Sequence, residues 1–325
     1  MTFNVGVIGL GVGSKHLDAF HKNPLCQVSV MCDFNLKKLQ DHQLNFPDIK
    51  VTTIAEEVLT DPTIDIVSIA SYDCHHADQV IQAFKNRKHV FIEKPLCTTR
   101  VDFEKIKDAH ELSPNLVVST NFVLRREPRF TALKQKIDSG LLGDIFLAEG
   151  SYDYGRLKKL TDGWRGDDPD YSVMHGGGIH IIDILTWLVG SRFYPKVALK
   201  NNFNNMDSKF KSSDLILTAG VFESGAIGKI SANYGSATSH YHQLKIYGTK
   251  GTFIHDCGIA TYFFDREPNV KAYPDETPFP AANKGDMIPD FINFIAKKTN
   301  HLSVDFQRVC EIMDTSLNIE DQIGR

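Results

Sequence analysis

The chain has 325 residues, enough for two domains with cores of their own, and its 42% hydrophobic and 23% charged residues are those of an ordinary globular protein. Lys and Arg number 36 against 40 Asp and Glu, and the net charge of −4 argues against a general nucleic-acid binder. The six cysteines, at 26, 32, 74, 97, 257 and 310, form no Cys-x-x-Cys pair and no zinc-like cluster, so scattered reduced thiols in a cytoplasmic protein are expected.

Phe3 to Ile8 is a short apolar run that leaves no room for a signal peptide ahead of it. It enters the turn Gly9-Leu10-Gly11-Val12-Gly13-Ser14. Gly9 permits a tight turn, Gly11 lets a pyrophosphate approach the backbone, and the helix that follows offers amide donors to the phosphate. The position of the usual third glycine holds Ser14, which is small but departs from the pattern. A second run, Val28 to Cys32, ends at Asp33, 24 residues after Gly9. A carboxylate there accepts hydrogen bonds from ribose hydroxyls and repels a 2′-phosphate, which favours NAD over NADP despite Lys37 and Lys38 close by.

Ile64 to Ala70 and His89 to Ile92 read as further strands, and Val117 to Ser119 as another short one. Ala77, Val80, Ile81 and Phe84 share one helix face. Thr99 with Asp102 reads as a capping pair for a helix carrying Phe103, Ile106 and Ala109. Strands alternating with helices of this length imply right-handed crossovers and a doubly wound parallel sheet. Ligands bind beyond the carboxyl ends of such strands, and Glu93-Lys94-Pro95 lies at one of them. A desolvated lysine beside another positive charge loses its proton readily, which makes Lys94 a candidate proton carrier. A methyltransferase using S-adenosylmethionine also fits the glycines and an acidic second strand end. It would want an acidic residue ahead of the glycines, where Val7 and Ile8 stand, and it gives Lys94 no task.

In the second half, Gly163-Trp164-Arg165 precedes the run His175-Gly176-Gly177-Gly178-Ile179-His180, which opens an apolar helix broken by Asp183 and too short to span a bilayer. Asp183 lies on the His180 face of that helix and suits either an orienting partner for the imidazole or an anion in the first helical turn. Arg125 suits a charge clamp or an internal ion pair, and Trp164 a stacking platform or a core residue. Arg156, Lys158, Lys159 and Arg165 form a basic loop region in which the phosphates of a nucleotide-sugar could dock. Ile227 to Tyr234 alternates like a half-buried strand, and Ile246 to Thr252 reads as a strand, a turn at Gly248 and a strand.

Taken together the sequence resembles the glucose–fructose oxidoreductase / inositol dehydrogenase family, the Gfo/Idh/MocA group. The likeness rests on Val5-Gly6-Val7-Ile8-Gly9-Leu10-Gly11, Ile69-Ala70 leading to His76-Ala77, Lys88-His89-Val90 and Glu93-Lys94-Pro95-Leu96. It continues through Arg125-Arg126-Glu127-Pro128, Gly140-Leu141-Leu142-Gly143, the glycine run and Tyr247-Gly248-Thr249-Lys250-Gly251. It implies an α/β chain: a Rossmann domain over residues 1–122 and, over 123–325, an α+β domain with a large, mostly antiparallel open sheet for substrate binding and oligomerisation.

The resemblance further implies NAD-dependent hydride transfer at a secondary alcohol of a sugar, polyol or nucleotide-sugar, in a homodimer or homotetramer. Lys94 would be the general base or proton relay, with a cis Lys-Pro bond behind it, and His180 would bind the reacting hydroxyl with Arg125, Trp164 and Arg165 around the substrate. Ser71, His76, Glu93 and Lys94 would join the glycine turn and Asp33 at the cofactor. Relatives carry an aspartate four residues before the histidine, where this chain has Gly176. Either Lys94 and His180 suffice, or Asp153 or Asp170 enters the site. The alternative is a cofactor-binding regulator on the same fold, without catalysis.

Overall fold

The computed structural model describes residues 2–155, 157–203, 210, 212–267, 271–280 and 283–324. They fall into two compact units, one of residues 1–123 with 283–310 and the other of 124–282 with 311–325.

The first unit carries six strands: β1 (Phe3–Ile8), β2 (Cys26–Cys32), β3 (Lys50–Thr52), β4 (Ile66–Ile69), β5 (His89–Ile92) and β6 (Val118–Thr120). They pair in the order β3-β2-β1-β4-β5-β6, every pair parallel. The crossovers hold α1 (Gly13–Lys22), α2 (Leu36–Gln43), α3 (Ala55–Thr60), α4 (His76–Lys85) and α5 (Arg100–Glu111). The whole of β4 is buried, as a strand covered on both faces must be. The order reverses between β1 and β4, and the crevice at such a switch point is where a ligand sits. Thr99 caps α5, its hydroxyl accepting from the Asp102 amide at 3.1 Å and donating to the Asp102 carboxylate at 2.9 Å.

Residues 283–310 complete this unit's core, so one cut between 122 and 123 does not describe it. The helix α9 (Ile288–Ile295) buries Ile288, Phe291 and Ile292 and sets the Phe291 ring 5.6 Å from Phe91. Ser119 donates to the Val304 carbonyl at 2.8 Å, and Phe306 stacks on His110 at 3.9 Å.

The second unit is built on β7 (Ile145–Asp153), β8 (Phe193–Asn201), β9 (Leu215–Phe222), β10 (Ile227–Asn233), β11 (Tyr241–Gly248), β12 (Thr252–Asp256), β13 (Ile259–Phe263) and β14 (Tyr273–Pro274), ordered β14-β13-β12-β11-β7-β10-β9-β8. Only β7 with β10 is parallel among these pairs. Its helices are α6 (Pro128–Asp138), the short α7 (Lys158–Thr161), α8 (Ile179–Val189) and, from Glu311 on, α10 (Phe306–Gln322). Buried residues alternate along β7, β9 and β10, so the sheet has one packed and one open face. The packed face meets α8 closely: a Cβ on Gly150 would lie 2.5 Å from Ile181.

On the same face Arg129 donates to Nδ1 of His255 at 3.2 Å and to the carbonyls of Gly258 and Thr277. A guanidinium only donates, so His255 must be neutral. Burial and then the Arg129 charge bring its pKa down to about 4 from 6.5. A base neutral in the fold but protonated in the unfolded chain contributes stability above pH 6.5 that is lost as pH falls towards 4. Urea titrations should therefore show stability falling through that window by up to about 1.4 kcal/mol per pH unit from this group. His255→Gln should have the shallower pH slope.

Candidate active site

In the first unit the carboxyl ends of the strands are stitched by main-chain bonds. The Gly9 amide donates to Cys32 O, Ala70 to Ile8 O, Glu93 to Ile69 O and Asn121 to Ile92 O, at 2.7–3.1 Å. These bonds bring Gly9 to Ser14, Asp33, Ser71, Glu93 and Lys94 to one edge. Gly9 has φ +88°, and a Cβ there would lie 2.3 Å from the Ala70 carbonyl oxygen. Nothing stands within 4 Å of a Cβ on Gly11. The first glycine is demanded by the fold, and the second leaves open space where a pyrophosphate could rest. Helix-on-strand packing falls to Gly13, whose Cβ would be 3.0 Å from that of Ala70, while the Ser14 hydroxyl turns back to the Gly11 carbonyl. The amides at the very start of α1, ahead of Lys15 and beside exposed Val12, suit a phosphate.

Asp33 is buried and accepts from the Leu10 amide at 2.8 Å and the Asn35 amide at 2.9 Å, with Lys38 at 3.4 Å. It therefore fixes the glycine turn as well as offering acceptors to a ribose. Lys38 lies over the ring of Phe34, which is 65% exposed and edge-on to Tyr72. This apolar wall beside Asp33 carries no sequence motif.

His76 was expected to line the cofactor crevice, yet it is fully buried, with Nδ1 2.6 Å from the Pro95 carbonyl and Nε2 3.3 Å from the Ser71 carbonyl. It ties the loop after β4 to the loop after β5. Ser71 donates to Gln79 at 2.7 Å. The Lys94–Pro95 bond is cis.

Glu93 is also buried. Its Oε1 lies 3.3 Å from His16 Nε2 and accepts from the Asn121 side-chain Nδ2 at 2.7 Å, while His16 Nδ1 meets the Ser68 hydroxyl at 2.9 Å. Burial pushes the Glu93 carboxyl up, but the His16 hydrogen bond and the charges of Lys284, His16 and Lys94 outweigh it and hold it well below the ordinary range. The partners His16, Asn121 and Lys284 stand far from Glu93 in sequence, which is why no motif points to them.

In the second unit the glycine run forms a π turn, Met174–Gly178, that leads into α8 and to His180, which is 5% exposed. Asp183 does not act as an orienting partner on its own. Its carboxylate accepts from Arg125 Nε at 2.9 Å and Nη2 at 2.6 Å, both residues are buried, and Arg125 lies over the Trp187 ring. Arg125 is thus an internal ion pair rather than a clamp extended towards a substrate, and it neutralises Asp183. Trp164 and Arg165 form a stacked pair, the guanidinium 4.5 Å from the Trp164 ring and 5.6 Å from that of Tyr171. Lys159 lies over Tyr154 at 5.6 Å, and Arg156 lies outside the described residues.

Of the two acids weighed in place of a carboxylate at 176, Asp153 lies on the sheet face opposite to that of Tyr152 and His180. Asp153 binds Ser151 and Asn233 on the open sheet face, and Asp170 is exposed. A Cβ on Gly176 would lie 2.0 Å from the Tyr171 hydroxyl. Among the described residues no group of three or more His, Cys, Asp or Glu could hold a metal ion, and no helix is long and apolar enough to cross a membrane.

Two family models match, an oxidoreductase family with an NAD-binding Rossmann fold over residues 3–122 and the GFO/IDH/MocA C-terminal domain over 130–254. The chain belongs to the Gfo/Idh/MocA family. It is 29% identical over 205 residues to the scyllo-inositol 2-dehydrogenase (NAD(+)) of Bacillus subtilis, covering 61% of this chain and 57% of that one. It is 24% identical over 262 residues to the myo-inositol 2-dehydrogenase of Thermotoga maritima, covering 78% and 75%. The match thus spans well under two thirds of the first relative's length. A levoglucosan dehydrogenase solved with NADH and levoglucosan has the same fold, with TM-score 0.85, 22% identity and coverage of 99% and 97%.

The two glycines of this Gfo/Idh/MocA turn should separate fold from ligand. Gly9→Ala should destabilise the protein by about 2–3 kcal/mol in urea titration, through positive φ and the clash with Ala70. Gly11→Ala should melt like the parent yet bind NADH at least about tenfold more weakly by fluorescence titration.

Proposed function

We propose that the chain is an NAD-dependent dehydrogenase acting on a ring CH–OH group of a cyclic polyol or sugar, with Lys94 and His180 as its catalytic residues. The observation that carries this reading is the carboxyl edge of the parallel sheet, where an open Gly11, the α1 amides and the Asp33 carboxylate adjoin Lys94. NAD would lie on Gly9 to Ser14 with its ribose on Asp33, and when bound it supplies the hydride acceptor. Lys94 would take or relay the hydroxyl proton, and His180 would hold the reacting oxygen. The two relatives named for inositols and the one named for levoglucosan support a neutral ring substrate. So does the placement of Arg165 and Lys159 over aromatic rings, which leaves the nucleotide-sugar reading with less support.

A cytoplasmic location suits an enzyme that draws on the intracellular dinucleotide pool. A homodimer or homotetramer would cover the open sheet face, where Leu147, Leu215, Leu217, Val221 and Tyr247 are half-buried and Ile227 is 56% exposed. Light scattering should give the mass of at least two copies, and Ile227→Asp should lower it. A monomer would remove the assembly reading.

Absorbance at 340 nm with NAD and a panel of inositols, anhydrosugars, aldoses and UDP-sugars tests the chemistry. Lys94→Ala and His180→Ala should each lower kcat by about 10²–10⁴-fold with NAD still bound. Tight NAD binding with no turnover of any alcohol would replace the enzyme with a cofactor-binding regulator.

A further inference from the structure

Gly176 and Gly177 are consecutive residues of the π turn that delivers His180, and neither has room for a side chain. A Cβ on Gly176 would stand 2.0 Å from Tyr171 Oη and 3.1 Å from Tyr234 Oη. One on Gly177 would stand 2.5 Å from Tyr152 Cδ1 and 2.9 Å from Tyr234 Oη. Three tyrosines are therefore keyed into the turn, two through their hydroxyls. Tyr171 and Tyr234 hydrogen-bond to each other at 3.2 Å, and all three tyrosines are buried.

Their rings continue the arrangement towards the histidine. The imidazole of His180 and the ring of Tyr152 are 16° from parallel with centroids 6.1 Å apart, and Tyr152 and Tyr234 are 26° from parallel at 5.8 Å. Both separations fall in the range of offset stacking. Tyr152 comes from β7 and Tyr234 directly follows β10, so two neighbouring parallel strands set the positions of the rings. Arg165 and Trp164 close the outer side of Tyr171.

We infer that Tyr152, Tyr171 and Tyr234 are positioning residues for His180: the stacked rings of Tyr152 and Tyr234 fix the imidazole, and the Tyr171–Tyr234 hydroxyl pair in the side-chain site of residue 176 anchors the stack. The inference rests on the dehydrogenase reading for the task it gives His180, but the stack itself does not. Burial lifts the Tyr234 hydroxyl well above its ordinary pKa, which keeps that hydroxyl protonated. Asp183 is paired to Arg125, and Tyr171 and Tyr234 bring hydroxyls to residue 176 where a carboxylate would bring a charge.

The test uses Tyr152→Leu, Tyr234→Phe and Gly176→Ala in the full chain, read in two ways. In ¹³C-labelled protein without substrate, the His180 ring C–H resonances are assigned by His180→Asn, because His240 and His242 also flank Tyr152. Tyr152→Leu should shift them by removing a ring current, and Tyr234→Phe and Gly176→Ala should shift or broaden them. In turnover, Tyr152→Leu should lower kcat by about 10–100-fold and Tyr234→Phe by a few-fold, with KM for NAD unchanged. Unmoved His180 resonances in Tyr152→Leu and Tyr234→Phe, with kcat within about twofold of the parent, would overturn the inference and leave the tyrosines as core packing. If no alcohol is turned over at all, the dehydrogenase reading fails, and the resonance shifts still decide whether the stack holds His180.

Discussion

The buried carboxylate of Glu93 is the constraint on which the first unit's site depends. A charge out of water persists only where hydrogen bonds and opposite charges replace the lost solvation. Here the replacements come from separate places in the fold: His16 on the helix after the glycine turn, Asn121 just past β6, and the charges of Lys284 and Lys94. Meeting that one requirement fixes α1 against the end of β5. The glycine turn and Lys94 are thereby held to the same edge. Asp33 does the same work from β2 by accepting the Leu10 amide, and His76 does so from α4 by holding the Pro95 carbonyl.

The second unit reaches a comparable rigidity by a different route. Its glycine run is there for closeness of approach, since none of the three residues has positive φ. Tyr171, Tyr152 and Met174 stand where the side chains of residues 176, 177 and 178 would be. The Arg125–Asp183 pair pins α8 to the residues just ahead of α6. A buried ion pair of this kind contributes little net stability against an apolar substitute, but losing one partner strands the other.

Much of this was legible in the sequence where the signal is local. The glycine turn, Asp33 at a strand end, the Thr99 cap and the strands before Gly9 and Glu93 all follow from short-range rules of backbone geometry and periodicity. Where the signal is long-range it vanished. β3 has three residues, too few for a period to register. Arg125 and Asp183 are 58 residues apart, so sequence offers both a clamp and an ion pair and cannot choose. Gly176 shows in the sequence only as a missing aspartate, and nothing local names Tyr171 as the occupant of its side-chain space. His76 looked like a wall of the crevice because its place after a strand end says nothing of which way the ring turns.

The return of residues 283–310 to the first unit bears on how the protein is made. Phe291, Val304 and Phe306 pack against strands and helices synthesised long before them, and the bond from Ser119 to Val304 closes a loop of 185 residues. The dinucleotide-binding half therefore emerges first, but its core lacks these side chains until residues 283–310 have been made. The second sheet, contained in residues 124–282, has all its strands in hand earlier. Its packing waits longer still, because residues from Glu311 onward belong to this unit and Ser316 and Glu320 hold His175 and Ser172, so neither unit has its full core until α10 has been made.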